Sequence, residues 1–447
     1  MDTFDRLRSL GLLDGRAPRY TSYPTAPNFA PTVGAAFQAE RLAAVDPAVP
    51  VSVYLHVPFC ERLCWFCACH TQGTKTLAPV EAYVATLETE LALVAARLPR
   101  GVRMGRLHWG GGTPTILPPA LIHRLAAAIR TVFAPAEGME FSVEIDPTLV
   151  DAAKIEALAA EGMTRASLGI QDFDPLVQRA IGRIQSHDAT RGAVETLRGC
   201  GVASLNADLV YGLPHQTEAR LADTVERVLA LAPDRVAIFG YAHVPWASRR
   251  QKLIDAAALP DDLARLRLAR LAAEAFVAAG FRRIGIDHFA RPGDGLDRAA
   301  RSGRLRRNFQ GYTDDDCPTL IGLGASSISR FPGGYVQNAP APAAWASRIG
   351  AGELPGARGH VLTAEDRLRG RAIEMLLCDF RLDFAALGPG AETLRPVAAE
   401  VAERFGDLVS LDAAGLTIHP AGVPLARIVA SAFDGHLAAG GRFSRAS

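Results

Sequence analysis

The sequence has almost no excess of charge of either sign. Over its 447 residues, 48 Lys and Arg stand against 47 Asp and Glu, which leaves a formal net charge of +1. Proteins that bind nucleic acid usually carry a clear basic excess, so this balance argues against a polyanion as partner. Hydrophobic residues make up 49% of the chain and charged residues 21%, the composition of an ordinary globular protein.

Long apolar runs are missing as well. No stretch approaches the roughly 20 residues needed to cross a bilayer. Residues 1–16 include acidic residues and contain no continuous apolar core of the signal-peptide type. We therefore expect a cytoplasmic protein without a membrane span. In that compartment a disulfide framework is not expected, and clustered thiols more often bind metal or carry out redox chemistry.

The length exceeds that of one hydrophobic core and predicts a large domain with a smaller one attached. Residues 1–50, with the Pro-rich stretch 18–29, are interpreted as an extended arm with no helix or strand of its own. Residues 51–355 are interpreted as the main domain with an extension. Residues 356–447 are interpreted as a smaller, mostly helical domain.

The main domain alternates predicted strands with helices at intervals of about 30 residues, the size of a βα unit. Such alternation predicts a parallel α/β sheet with right-handed crossovers. A doubly wound sheet and a βα barrel both remain open on this evidence, and both gather function at the carboxyl ends of the strands. The predicted strands cover residues 51–57, 106–109, 139–145, 165–170, 204–213 and 235–244.

Four of the seven cysteines fall within ten residues, in CERLCWFCAC directly after the first predicted strand. Three thiolates on one loop can converge on one metal centre. A cubane cluster has four irons, so three protein ligands leave one iron open. Zinc, the alternative, usually takes four ligands from two separated pairs. A ferredoxin-type carrier would add a distant Cys-Pro, which Cys317 offers, but ferredoxins are much smaller proteins.

Polar residues and glycines follow the later strands. GGGTPT (110–115) lacks the ending of a phosphate loop and, alone, would be a tight turn. Glu144, Gln171 and Asp208 each lie near the end of a predicted strand. Such groups are costly when buried, unless they bind a ligand or are satisfied within the protein. Arg183 adds a fixed positive charge that could pair with a carboxylate.

The spacing Cys-x3-Cys-x2-Cys on the loop after the first strand resembles the radical SAM (S-adenosylmethionine) superfamily. The resemblance implies a partial (βα)6 barrel and a [4Fe-4S] cluster held by Cys60, Cys64 and Cys67. It implies that the open iron binds SAM, which one electron cleaves to methionine and a 5′-deoxyadenosyl radical. It also implies SAM contacts at Phe66, beside the adenine, and at Gly111, Gly112 and Thr113, whose backbone bonds the methionine amino group.

A closer resemblance covers nearly the whole chain. It is carried by RYTSYPTA, YLHVPFC, CWFCACH, HWGGGTPT, VEIDP, LGIQDFD, DLVYGLP, YAHVPW, IGIDHFARP and NFQGYT. These blocks, in this order, resemble the oxygen-independent coproporphyrinogen III oxidases. The family decarboxylates two propionates of coproporphyrinogen III to vinyl groups, which gives protoporphyrinogen IX. The resemblance implies a monomer, with an electron donor and acceptor that the sequence does not identify.

The same resemblance implies roles for individual residues. Contacts to SAM are implied at Tyr54, Glu144, Gln171, Arg183, Asp208, Ala242 and Ile328. Contacts to a second SAM molecule are implied at Phe309, Gln310 and Ile328. Cys69 matches the family's fourth cysteine, which is not a cluster ligand but matters for activity. The substrate has four carboxylates, so arginines are expected around it, and Arg19 in the arm is a candidate.

Three alternatives stay open at this level. A haem chaperone of the same fold would lack Cys69 and the PRYTSYPTA arm, both of which are present. A radical methyltransferase or haem-opening homologue can share the four-cysteine stretch, although IGIDHFARP and NFQGYT favour the oxidase. A pure electron-transfer protein is the third. TDDDCPTL (313–320) departs from the usual family pattern after NFQGYT.

Overall fold

The structure of the protein is a computed structural model that describes residues 3–12 and 17–437. The predictions for residues 1–16 and for the end of the smaller domain therefore fall partly outside the described residues. The N-terminal segment contains helices α1 (Thr3–Ser9) and α2 (Ala35–Ala43). The prediction that residues 1–50 have no helix of their own is thus wrong. Helix α2 is short and depends on tertiary packing, since it lies on a distant strand with Gln38 and Leu42 buried.

The main domain begins with six parallel strands, each followed by helix. Its elements are β1 (Val51–Val57), β2 (Phe59–Cys60), β3 (Gln72–Gly73), α3 (Ala78–Ala95), β4 (Arg103–Gly111), α4 (Pro119–Val132), β5 (Ala134–Ile145), α5 (Ala152–Ala160), β6 (Arg165–Gln171), α6 (Pro175–Ala180), α7 (His187–Gly199), β7 (Ser204–Tyr211), α8 (Glu218–Ala230) and β8 (Arg235–Gly240).

Strands β1, β4, β5, β6, β7 and β8 lie side by side in chain order, and every neighbouring pair is parallel. A doubly wound sheet would reverse its strand order at some point, and this one does not within the six. The predicted partial (βα)6 barrel is therefore confirmed, and the doubly wound alternative is excluded. The carboxyl ends of all six strands share one edge.

The chain then extends the same sheet at both ends. The added elements are α9 (Asp262–Ala278), β9 (Arg282–Ile284), β10 (His288–Ala290), α10 (Gly295–Arg301), β11 (Arg306–Asn308), β12 (Gly311–Thr313), β13 (Leu320–Leu323), β14 (Ile328–Phe331), β15 (Gly334–Asn338), α11 (Pro342–Gly350) and β16 (Gly356–Val361). β10 and β9 continue beyond β8, and β13 to β16 continue beyond β1, which gives twelve strands. β11 and β12 form a separate hairpin.

The boundary predicted between residues 355 and 356 falls at the start of a strand of this sheet. β16 pairs antiparallel with β15 and so belongs with the barrel. β16 is short and pairs with the sheet itself, so no local pattern marks it in the sequence. We propose that the smaller domain begins at Thr363, which caps the next helix.

The C-terminal domain is mostly helical, as predicted. Its elements are α12 (Ala364–Cys378), β17 (Arg381–Asp383), α13 (Phe384–Leu387), α14 (Arg395–Phe405), β18 (Val409–Leu411), β19 (Gly415–Ile418) and α15 (Ala426–Ser431). β18 and β19 form the hairpin expected near residues 409–420. Its hydrophobic core also takes in Leu7, Leu12, Tyr20 and Tyr23, so the N-terminal segment packs into this domain. Across residues 3–12 and 17–437, no helix is both long and apolar enough to cross a membrane.

Candidate active site

The inner face of the barrel is lined by polar side chains. Along β6 and β7, fully buried residues alternate with partly exposed ones. Side chains alternate across a strand, so one face packs against the helices and the other lines an interior that solvent reaches. We call the interior that this face lines the lumen. Its partly exposed polar side chains are Tyr54, His108, Glu144, Ser167, Asn206 and Asp208.

The cysteine loop runs between β2 and β3 at the carboxyl edge of the barrel. It is tied down by a 3₁₀ helix at Arg249–Leu253, on the chain that follows β8. Gln251 donates to the carbonyl oxygen of Phe66 at 2.8 Å, and the Ser248 hydroxyl donates to that of Cys67 at 2.9 Å. These two hydrogen bonds attach the loop to the chain that follows β8.

Each of the three predicted cluster ligands accepts a hydrogen bond at sulfur. The donors are the Thr113 hydroxyl to Cys60 Sγ at 3.6 Å, Arg183 Nη1 to Cys64 Sγ at 3.5 Å, and the Cys69 N–H to Cys67 Sγ at 3.4 Å. Hydrogen bonds from Cys69 lower the pKa of the Cys67 thiol, whereas burial raises the pKa of the Cys60 thiol. Donors aimed at sulfur favour the thiolate, which is the form that binds iron.

The spacing of these sulfurs suits a cluster better than a single ion. Thiolates on one zinc ion lie about 3.8 Å apart, since Zn–S bonds are about 2.3 Å long in a tetrahedron. Within residues 3–12 and 17–437, the side-chain groups close enough to share one ion do not include the three cysteines together. An iron–sulfur cubane is larger than one ion and separates its ligands more widely. As placed, the three cysteines do not share one ion, which favours a cluster over zinc.

The glycine loop after β4 packs directly on the cysteine loop. The N–H groups of its three predicted SAM-binding residues are all engaged: Gly111 donates to Glu144 Oε2 at 3.0 Å, Gly112 to the Val57 oxygen at 2.8 Å, and Thr113 to the Phe59 oxygen at 2.8 Å. A Cβ on Gly112 would lie 2.5 Å from the Phe59 oxygen, so only glycine fits there. What this loop can still offer a ligand is carbonyl oxygen, the acceptor that an amino group requires.

Glu144 lies in the lumen as an anion. Burial would raise the pKa of this carboxyl, but the hydrogen bond and charge of His108 and the Gly111 N–H lower the pKa below its usual value. His108 Nε2 is 3.4 Å from Glu144 Oε1, and the His108 ring stacks on Tyr54 with centroids 5.7 Å apart. The structure thus brings Tyr54, Gly111 and Glu144 together, as the sequence analysis expected.

Asp208 is satisfied inside the barrel. It accepts a hydrogen bond from the Ser167 hydroxyl at 2.6 Å and another from Asn206 Nδ2 at 2.8 Å. Burial raises the pKa of Asp208 above its usual value. Each carboxylate oxygen keeps capacity for a further donor, so these partners orient the group without closing it to a ligand.

Arg183 has a partner that the sequence analysis missed. Its Nη1 lies 3.0 Å from Asp146 Oδ2, and its Nη2 donates to the Gly169 oxygen at 2.7 Å. The guanidinium is therefore anchored beside Cys64 by a buried ion pair. Gln171, at the end of β6, has a φ of 69°, a left-handed backbone that is uncommon outside glycine and often found at functional sites.

The remaining predicted residues lie farther along the chain. Ala242 follows β8, and Ile328 begins β14, packed against Gly322, which pairs in register with Tyr54. Phe309 and Gln310 form the turn of the β11–β12 hairpin. The Phe309 ring stands edge-on to Tyr335 of β15 at 6.4 Å, and the Gln310 N–H donates to Asn308. The structure thus places Ile328 beside β13, which separates it from β1, and Phe309 with Gln310 against the sheet extension.

Several site residues were missed in the sequence: Asp146, Ser248 and Gln251, with the lumen side chains His108, Ser167 and Asn206. The lumen set carries a signal that could have found it, because polar residues recur at every second position of three strands. The loop anchors carry none, since nothing local marks their distant partners.

This site defines the class of protein to which the chain is similar. The Radical SAM superfamily profile matches residues 54–228, from β1 to α8. That stretch contains the cysteine loop, the glycine loop and all six lumen side chains named above. Fold and site together therefore define a radical SAM protein, with a [4Fe-4S] cluster and SAM as its cofactors.

Relatives that match almost the full length identify the family. An oxygen-independent coproporphyrinogen III oxidase of Cereibacter sphaeroides is 62% identical over 446 residues, 99% of both chains. That of Paracoccus denitrificans is 54% identical over 440 residues, 98% of both. The solved coproporphyrinogen III oxidase of Escherichia coli, a radical SAM enzyme, matches with a TM-score of 0.89 and 36% identity, over 94% of this chain and 98% of that one.

The chain belongs to the oxygen-independent coproporphyrinogen III oxidase family, and it is an oxidoreductase of the radical SAM superfamily. This membership favours the oxidase over the haem-chaperone, methyltransferase and electron-transfer alternatives.

Proposed function

We propose that this chain decarboxylates two propionates of coproporphyrinogen III to vinyl groups and so produces protoporphyrinogen IX. The observation that carries the proposal is a loop with three hydrogen-bonded thiols at the carboxyl edge of a barrel with a polar lumen. This arrangement lies in a chain that is 62% identical to a relative named for the activity.

The chemistry that the cluster and SAM supply, when bound, is one-electron cleavage to a 5′-deoxyadenosyl radical, which takes hydrogen from the propionate carbon next to the pyrrole. Cys60, Cys64 and Cys67 would hold the cluster. The carbonyl oxygens of the glycine loop would accept hydrogen bonds from the amino group of SAM. Arg183, anchored by Asp146, would supply positive charge beside the cysteine loop.

The lumen would bind the rest of SAM. Glu144 and Asp208 present carboxylate oxygens to any hydroxyl or amino group in the cavity. Tyr54 and Gln171 line the same interior, and Phe66, on the cysteine loop, supplies an aromatic face. Ala242 and Ile328 would flank this pocket from the neighbouring chain.

A second SAM molecule is proposed beside the first, at Phe309, Gln310 and Ile328. Two propionates require two cleavages, which a second bound SAM or reloading would provide. The β11–β12 turn brings Phe309 and Gln310 next to β15, which lies in the same sheet as Ile328. The electron donor and acceptor, the monomeric state and the cytoplasmic location stay predictions of the sequence.

Anaerobic turnover tests the proposed function. The reconstituted protein, given coproporphyrinogen III, SAM and a reductant, should form vinyl product and release CO2. An electron acceptor must be supplied, because loss of CO2 from the substrate radical leaves one electron to remove. A protein that carries its cluster and cleaves SAM, yet forms neither vinyl product nor CO2, would contradict the proposal.

Cys69 provides a variant for the same assay. The Cys69 N–H donates to Cys67 Sγ, and the Cys69 carbonyl oxygen accepts a hydrogen bond from Arg250 at 3.0 Å. The charge of Glu144 also acts on the Cys69 thiol. Cys69→Ala should keep about four irons and the ability to cleave SAM, but lose product. The matched control is Cys200→Ala, at the end of α7, which should turn over normally. Full activity in Cys69→Ala would remove Cys69 from the active site.

A further inference from the structure

Arginines from separate parts of the chain meet against the end of β8. Arg19 of the N-terminal segment donates from Nη2 to the oxygen of Gly240, the last residue of β8, at 3.0 Å. Arg307 of β11 donates in turn from Nε to the oxygen of Arg19 at 3.2 Å. Arg283 of β9 belongs to the same neighbourhood, because it and Arg307 both interact with Asp287. We call Arg19, Arg283 and Arg307 the arginine cluster.

The cluster is partly open to solvent. Arg19 and Arg283 have exposed side-chain surface. Desolvation by the surrounding protein lowers the pKa of both guanidinium groups. Arg307 is buried behind them, with its guanidinium 4.6 Å from the centre of the Tyr312 ring.

Positive charge exceeds negative charge around the arginine cluster. Among the residues that the structure describes, Asp287 is the one carboxylate whose charge acts on all three arginines. Arg307 Nη1 lies 3.8 Å from Asp287 Oδ1. Burial would raise the pKa of Asp287, but Arg307, His288 and Arg19 lower it to about 2. The charges of Arg265 and Arg427 also act on Arg19, so positive charge clearly exceeds the single negative charge of Asp287. An anionic ligand would offset this excess.

The arginine cluster is next to the lumen. His288 bonds Asp287 through Nδ1 at 2.7 Å, and its ring stands edge-on to Phe239 of β8 at 5.6 Å. The positive field of His288 reaches Asp208 in the lumen. A ligand held by the cluster would therefore extend towards the reacting centre. Arginine is the side chain best suited to grip carboxylates, because its planar fork can form two parallel hydrogen bonds.

We propose that Arg19, Arg283 and Arg307 bind the two propionate carboxylates that the reaction leaves in place. The inference rests on the proposed function, whose substrate has four carboxylates and whose product keeps two. Anchoring those groups at the cluster would direct the opposite edge of the macrocycle, with the reactive propionates, into the lumen.

Equilibrium binding to the reconstituted protein tests the assignment without turnover. The probes are coproporphyrin III, which is fluorescent and keeps all four carboxylates, a porphyrin with two propionates, and the tetramethyl ester of coproporphyrin III. The wild-type protein should bind the first two and not the ester. Arg19→Gln and Arg283→Gln should each weaken binding of both acids about tenfold or more, as expected for loss of a charge-assisted hydrogen bond. Their iron content and SAM cleavage should be unchanged.

Arg304→Gln is the matched control. Arg304 is an exposed arginine just before β11 whose Nε donates to Ser302, and it lies outside the cluster. Its loss removes the same charge and should change binding less than twofold. Wild-type affinity in both Arg19→Gln and Arg283→Gln, or equal binding of acid and ester, would overturn the assignment, as would a wild-type protein that binds neither acid.

The outcome separates this inference from the proposed function. If the wild-type protein forms vinyl product while the two variants keep the wild-type KM, the function stands and the carboxylate subsite falls. If the variants lose affinity as expected but the wild-type protein forms no vinyl product, the subsite stands and the function falls. A raised KM in both variants, with product still formed, supports both together.

Discussion

Replacing Cys64 by serine should leave the protein without a complete cluster and without SAM cleavage. Cys64 is the most buried of the three ligands, and Arg183 Nη1 donates to its sulfur at 3.5 Å. A serine hydroxyl stays protonated at neutral pH and is a poor ligand for iron. The loss should exceed the roughly 10- to 100-fold effect typical of residues that only support a metal ligand.

Iron and sulfide content, together with release of 5′-deoxyadenosine under reducing conditions, measure this effect. The control is Cys200→Ser, which alters a partly buried cysteine remote from the loop and should assemble a normal cluster. A Cys64→Ser protein that binds about four irons and releases 5′-deoxyadenosine at the wild-type rate would refute the ligand assignment.

Gly112→Ala should have the second largest effect, because the new methyl group has no room. Its Cβ would lie 2.5 Å from the Phe59 oxygen, and Phe59 directly precedes the first cluster ligand. Relief of the clash must shift either loop and break the hydrogen bonds between them, from Gly112 to Val57 and from Thr113 to Phe59, both 2.8 Å. We expect unfolding free energy to fall by about 1–3 kcal/mol, as for other overpacked sites, and SAM affinity to fall with it.

Gly192→Ala is the control for that substitution. Gly192 lies in the exposed interior of α7 with nothing within 4 Å of its would-be Cβ. Alanine is the better helix former there and should stabilise the protein by about 1 kcal/mol. Denaturant unfolding and SAM titration measure both variants. Wild-type SAM affinity and stability in Gly112→Ala would show that the two loops need not pack as described.

The six barrel strands could be predicted from the sequence because their evidence is local. β1 reproduces its predicted limits, and the others differ only at their ends. The sheet extension could not be predicted in the same way. β13 has four residues and is held by pairing with β1, far away in the chain. Helix α2 and strand β16 likewise depend on each other and on the sheet, so no local pattern predicts them.

The site residues also divide into those that a local motif predicts and those that depend on contacts far away in the chain. The cysteine and glycine loops are contiguous motifs, so their residues could be named from the sequence. The groups that hold them could not, since Ser248 reaches Cys67 across 181 positions of the chain. The sequence also left open whether Asp208 was satisfied or free, and its answer depends on Ser167 and Asn206, which lie on the lumen face of β6 and β7. Position along a strand indicates a face, but not the partners across it.

The most direct measurement uses coproporphyrinogen III that carries deuterium on the propionate carbons next to the pyrrole rings. The reconstituted protein is supplied anaerobically with this substrate, SAM and a reductant. If the thiol loop and the lumen generate a radical that attacks the propionate, deuterium should appear in 5′-deoxyadenosine as CO2 and vinyl groups form. Vinyl product accompanied by unlabelled 5′-deoxyadenosine would contradict the account.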